Sequence, residues 1–348
     1  MKENKRSSIK SAKLFTEVCV LVTLAITAVY IGAKEIRQTE DISRAPIVDS
    51  GADIDIEEPT EVVDENKIIF EGSEIPTKDK FKGDLILVNN DTQYFTGDEE
   101  LVSLNTQLKQ DGVTSFTAND NSLKVRKEIC TPLENLLNEF KAQKQIDDVV
   151  IISGFRTQEK QQQLYDADLA KTGLDYSELV AKPGYSEHQT GFAVDFTTST
   201  TWDYDGLGDY EWIDENCWKY GFVLRYPENK TDITQIRYEP WHYRYVGVPH
   251  AYYMYKNGLC MEEYIEKLRS YTYEGGHLEF TDDLGVKYEI YFVKSDDGAE
   301  TTFVPVPVNA AYDISGNNVD GFIVTLYADQ KTAIPGMENT TSAESQAE

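Results

Sequence analysis

Basic residues are in deficit: 33 lysines and arginines stand against 61 aspartates and glutamates in 348 residues, a formal net charge of −28. Phosphate recognition needs clustered cations, so this balance argues against a nucleic-acid partner. Neither a G-x-G-x-x-G turn nor a G-x-x-x-x-G-K-[ST] loop occurs, which removes the common nucleotide-binding signatures. Cysteine is scarce too. Cys19 lies in an apolar run, leaving Cys130, Cys217 and Cys260. An odd number at this spacing builds neither a disulfide framework nor a zinc knuckle, so these read as small core residues on helices. Histidine also numbers four, His188, His242, His250 and His277.

Long apolar runs are nearly absent, with one exception. Lys2, Lys5, Arg6, Lys10 and Lys13 precede sixteen uncharged residues, Val18 to Ala33. With Leu14 and Phe15 the segment approaches the ~20 residues that span a bilayer. Basic residues before the span keep the N-terminus inside and send the rest out. The expectation is a basic cytoplasmic tail at 1–13 and a transmembrane signal-anchor at 14–33. A signal peptide cleaved before Lys34 is the rival. Residues 34–66, with "DIDIEEPTEVVDEN", are too acidic and too poor in aromatics to bury a core, and read as a disordered linker. The tail at 329–348 reads likewise.

Between these ends the pattern is globular. "DLILVNN" predicts a short strand with a turn. Ile129, Leu133, Leu136, Leu137 and Phe140 recur at helical spacing. "DVVIISGFR" predicts a buried strand, and Thr157 a cap for the helix that follows. Helices mixed with short strands, without regular βαβ alternation, argue α+β. After a helix near Met261–Arg269 the texture turns to alternating strands, expected as a small β-rich module at 271–328, with the main domain at 67–270.

Chemistry concentrates in "SEHQTGFAVDF". Alternation along "FAVDF" puts Ala193 and Asp195 on one strand face, with Phe192, Val194 and Phe196 on the other. His188 lies seven positions before Asp195, so the chain must turn between them, and Thr190-Gly191 supplies the place. By itself this pair reads more readily as a core hydrogen bond than as a metal site. Downstream, "YEPWHYRYVG" adds His242 with Glu239 three residues earlier. Two histidines and an aspartate leave a fourth tetrahedral position for water, the layout of catalytic zinc. Glu239 is then the group that takes and returns a proton. Pro240 excludes a continuous helix and biases Glu239 to extended geometry, over the metal rather than on it. His250 and His277 read as surface or interface residues.

"SEHQTGFAVD" followed by "EPWH" resembles the S-x-H-x(6)-D … E-x-W-H signature of the VanY-like D-alanyl-D-alanine carboxypeptidases. These zinc metallopeptidases share their fold with VanX dipeptidases and the Hedgehog domain. "SGFRTQEKQQQLY" and "FVLRYP" are similar to further segments of that family, and the resemblance spans roughly residues 83–248. It implies an α+β Hedgehog/DD-peptidase-type core. One zinc ion would be held by His188, Asp195 and His242, with Glu239 as general base and acid. Arg156 would neutralise the oxyanion or hold the substrate carboxylate, and Gln161 and Ser186 would hydrogen-bond the substrate's end. A guanidinium suits either of the Arg156 tasks on chemical grounds alone. The implied substrate is the peptidoglycan stem peptide, losing its C-terminal D-Ala. L,D-cleavage of tetrapeptide stems is the alternative within the class. Outside it stand a non-haem iron oxygenase, whose usual H-x-D spacing is absent, and a wall-binding module with a relict metal site.

Overall fold

The computed structural model describes residues 67–331, apart from 96, 98, 99 and 178. The tail, anchor and linker expected at 1–66, and the tail beyond 331, fall outside the described residues. No described helix is long and apolar enough to cross a membrane.

Strands number in chain order β1 (Phe70–Pro76), β2 (Leu101–Ser103), β3 (Thr117–Ala118), β4 (Lys124–Arg126), β5 (Val149–Ser153), β6 (Ala193–Thr198), β7 (Phe222–Leu224) and β8 (His242–Tyr245). A five-stranded sheet of order β3-β5-β6-β8-β7 carries the motifs. Only β3–β5 is parallel; β5–β6, β6–β8 and β7–β8 are antiparallel. Helix Cys130–Lys144 covers one face, because Leu133, Leu136, Leu137 and Phe140 fall on one side of it. They pack with Val149, Ile151, Val194, Phe196 and Tyr243 in one core. Helix Gln158–Thr172 starts where Thr157 Oγ1 accepts a 3.2 Å hydrogen bond from the Lys160 amide, and stops at Gly173. Gln161 is its one buried residue. An apolar stripe therefore does not hold this helix.

The second half of the chain adds β9 (Leu278–Thr281), β10 (Lys287–Lys294), β11 (Thr301–Pro307), β12 (Ala310–Gly316) and β13 (Gly321–Lys331). Four of them form an antiparallel sheet, β12-β13-β10-β9. β11 instead pairs with β1, from Phe70 opposite Pro307 to Pro76 opposite Thr301. Leu278, Ile290, Phe292 and Ile323 share one core with Leu85, Val223, Met261 and Ile265. The two sheets therefore belong to one packed body.

"DLILVNN" departs from expectation. Leu85, Ile86, Leu87 and Val88 are buried, yet the segment is not a strand. Its polar backbone groups are met by side chains and turns instead. Ser315 Oγ accepts from the Leu85 amide at 2.9 Å, and the Asn317 carbonyl from the Leu87 amide at 3.1 Å. Arg244 donates to the Asp84 and Ile86 carbonyls, and Asn318 to that of Leu87. Hydrophobicity foretold burial; a ladder partner was missing.

Candidate metal and catalytic site

Register assembles half of the site. Asp195 in β6 pairs with Ser153 of β5 on one side and His242 of β8 on the other. Residues directly opposite in a ladder point to the same face, so these three side chains form a row. A register shift between Ile151 and Ser153 places Ser153 in that row. His188 arrives from the 3-10 turn Glu187–Thr190, which ends at Gly191 with φ +75°. A Cβ at Gly191 would lie 2.9 Å from Leu101 Cδ2 and 3.0 Å from Arg126 Cγ, so both conformation and space require glycine there. This turn explains how seven residues bring an imidazole back over the strand.

His188 Nδ1 faces the Gly154 carbonyl at 2.8 Å, which directs Nε2 inward to 3.1 Å from Asp195 Oδ2. His242 Nδ1 lies 3.1 Å from Asp195 Oδ1 and 3.5 Å from Glu239 Oε2. Asp195 Oδ1 is nonetheless buried without a hydrogen-bond partner, so the 3.1 Å approach is not along a donor direction. One ligand atom from each of His188, Asp195 and His242 lies within 4.8 Å of the others, and all three residues are buried. An orphaned oxygen on a carboxylate that two imidazole nitrogens approach is what a divalent cation would satisfy, and the N₂O donor set suits zinc. The residues fit the ion.

The electrostatics sort the groups. Burial holds His188 down at about 4, with the Arg156 charge adding to the effect. Burial would raise Asp195, but His188 and His242 bring it well below the usual carboxylate range. Burial pushes Glu239 up to about 7, partly opposed by His242. Glu239 is set by a turn in which the His242 amide donates to the Glu239 carbonyl at 3.2 Å. Pro240 lies inside that turn.

All seven expected residues meet in one cavity of about 220 Å³: Arg156, Gln161, Ser186, His188, Asp195, Glu239 and His242. Arg156 donates through Nη2 to Asp195 Oδ2 at 2.8 Å and through Nε to Ser153 Oγ at 2.9 Å. Gln161 is buried and donates to the Ala181 carbonyl at 2.8 Å, while its own carbonyl faces Arg156 Nη1 at 3.5 Å. Leu164, Leu179, Val180, Tyr226, Ile236 and Trp241 supply the apolar wall. His250 is buried, bonded to Tyr264 and Thr325, and half-buried His277 contacts Glu289; neither lines this cavity. Cys130, Cys217 and Cys260 are buried free thiols.

Sequence reading passed over Glu187, Arg225 and Arg244. All three side chains are fully buried, and Glu187 Oε1 receives Arg225 Nε and Arg244 Nη1, each at 2.8 Å. The signal was present, since a charged residue beside each histidine motif is unusual inside a fold. Nothing in the linear order paired them.

Comparison with known proteins agrees with this site. The family model "D-alanyl-D-alanine carboxypeptidase" (VanY) matches residues 122–248. A D-alanyl-D-alanine carboxypeptidase of Enterococcus faecium is 34% identical over 264 residues, 75% of this chain and 78% of that protein. The bifunctional D-Ala-D-Ala dipeptidase and D-Ala-D-Ala carboxypeptidase VanXYC of Enterococcus gallinarum is 35% identical over 157 residues, 43% of this chain and 81% of its own. The crystal structure of the vancomycin-resistance D,D-dipeptidase VanXYg, bound to a D-Ala-D-Ala phosphinate analogue, matches with a TM-score of 0.66 at 30% identity. It covers 74% of this chain and 99% of that one. With its cavity, its donor set and these relatives in agreement, this chain belongs to the VanY family of D-alanyl-D-alanine carboxypeptidases.

Proposed function

We infer that the chain is a zinc-dependent D,D-carboxypeptidase that removes the C-terminal D-alanine from peptidoglycan stem peptides. One observation carries the reading: the buried, unpartnered Asp195 Oδ1 beside His242 Nδ1, with His188 Nε2 against Oδ2 of the same carboxylate and Glu239 alongside. Bound zinc supplies Lewis acidity, lowering the pKa of a water to ~7 and polarising a carbonyl. Glu239 takes the proton released as water attacks and returns it to the leaving amine. A buried carboxyl near neutrality suits both halves of that transfer. Arg156, pinned by Asp195 and Ser153, offers its remaining donors to the developing oxyanion or to the terminal carboxylate. Gln161 and Ser186 line the same cavity and are assigned to the substrate's end.

The test uses the zinc-loaded protein and synthetic stems read by mass spectrometry. Loss of one alanine from the pentapeptide alone is expected; shortening of the tetrapeptide alone would reassign the enzyme to L,D-cleavage, and shortening of neither would remove the substrate class. Glu239→Gln should cut turnover by about 10²–10⁴-fold with zinc content unchanged.

The same reading places the body outside the cytoplasm. Five basic residues before the apolar run at 14–33 support a single-pass signal-anchor with the N-terminus inside. Protease digestion of intact cells should remove the catalytic body from the membrane fraction. A mature soluble chain beginning at Lys34 would establish cleavage and a secreted form instead.

A further inference from the structure

Glu187 sits between Ser186 and the ligand His188 in sequence, but its side chain turns towards a different ligand. Oε1 is fully engaged by Arg225 and Arg244. Oε2 has no hydrogen-bond partner. The nearest imidazole nitrogen is Nε2 of His242, 3.7 Å away, also buried and also without a partner. These are complementary groups: a carboxylate oxygen that only accepts, and a ring nitrogen that donates in one neutral tautomer. The separation exceeds a hydrogen bond, so the contact here is electrostatic, and a small ring rotation closes it. A carboxylate serving only as a salt-bridge anchor would present both oxygens to a guanidinium fork. This one keeps an oxygen free for His242.

We propose that Glu187 is the positioning residue for His242: its free oxygen holds the proton on Nε2 and so commits Nδ1, the atom facing Asp195, to the metal. The inference rests on the zinc reading above. The two arginines hold the carboxylate in place. Arg225 reaches on to Glu262 with hydrogen bonds of 2.9 and 2.6 Å, and Arg244 to the Asp84 and Ile86 carbonyls at 2.7 and 3.0 Å. Outer contacts of this kind orient a ligating imidazole, and their loss weakens metal binding by about 10–100-fold.

The experiment compares wild type, Glu187→Gln, Glu187→Asp and Glu262→Gln. Zinc affinity is read by chelator competition, folding by thermal melting, and the His242 tautomer by long-range ¹H–¹⁵N correlation on zinc-loaded protein. Wild type should carry the His242 proton on Nε2. Glu187→Gln should bind zinc about 10–100-fold more weakly. Should that variant fail to fold, Glu187→Asp keeps the charge for the arginines but withdraws Oε2, and should weaken zinc binding in the same direction. Glu262→Gln, which loosens Arg225 but leaves Glu187 Oε1 on Arg244, should melt earlier and weaken zinc binding by less than Glu187→Gln does, separating loss of the network's stability from loss of its aim. A wild-type proton on Nδ1, or Glu187 variants with wild-type zinc affinity, would overturn the assignment alone. A wild type that binds no zinc would overturn the zinc reading and this assignment together.

Discussion

Arg156 shows how much one side chain is asked to do. Its Nη2 is committed to Asp195 and its Nε to Ser153, so the guanidinium plane is set before substrate arrives. Lysine keeps the charge but cannot hold two fixed partners and still present a donor. Arg156→Lys should therefore lower kcat/KM by roughly 10²-fold or more at unchanged zinc content, as steady-state kinetics would read. A second residue, outside the site, predicts pH dependence. Glu134 is buried on helix Cys130–Lys144 with Oε1 unpartnered, and burial, aided by Asp111, pushes it up to about 7. The folded state then binds this proton more tightly than the unfolded state. Stability falls as pH rises from about 4.5 to about 7 and stays lower above that window. Glu134→Gln should melt with wild type near pH 4 and later than wild type at pH 8, by on the order of 1 kcal/mol. An unchanged difference across that range would refute the assignment.

At the scale of elements, the turn into β6 couples two ligands. The Thr190–Gly191 corner fixes His188 relative to Asp195, and the Gly191 carbonyl also accepts the Arg126 amide at 3.0 Å. Gly191→Ala forces an L side chain to φ +75° and into Leu101 and Arg126. A cost of about 1–3 kcal/mol is expected, with zinc affinity falling alongside the melting temperature. Loss of stability with intact zinc binding would mean the corner serves packing alone. Periodicity made the β6 faces legible, since Phe192, Val194 and Phe196 do enter the core. It could not reveal that β8 would lie beside β6 with His242 opposite Asp195, because nearly fifty residues of other structure intervene.

For the whole molecule, the decisive feature is that the C-terminal sheet shares a core with the helices that follow the catalytic motifs. Its β12–β13 turn grips the coil at 82–93: Asn318 donates to the Leu87 and Gln93 carbonyls, and the Gly316 amide to that of Lys82. That coil in turn accepts Arg244, two residues past His242. A chain ending at Ser270 should thus lose its cooperative melting transition, exposing Leu85, Met261 and Ile265 to water; calorimetry would check it. Retention of a sharp transition and of zinc binding would show the sheet to be dispensable. In the intact protein, zinc in hundredfold excess over its Kd should add about 2.7 kcal/mol of stability, reversed by chelation.

Sequence alone determined the chemistry of the site and much of the local structure. Residue type, the turn at Thr190-Gly191, helical spacing along 129–140 and the proline after Glu239 all act within a few residues, where steric and hydrogen-bonding rules are local. Tertiary structure decided the rest. The row Ser153–Asp195–His242 depends on strand register, and the coil at 84–88 depends on a donor (Arg244) and an acceptor (Ser315) more than 150 residues away. The buried Glu187–Arg225–Arg244 cluster exists because burial in low dielectric makes oppositely charged groups seek one another across any sequence distance. Such pairings leave no periodic trace in a linear chain.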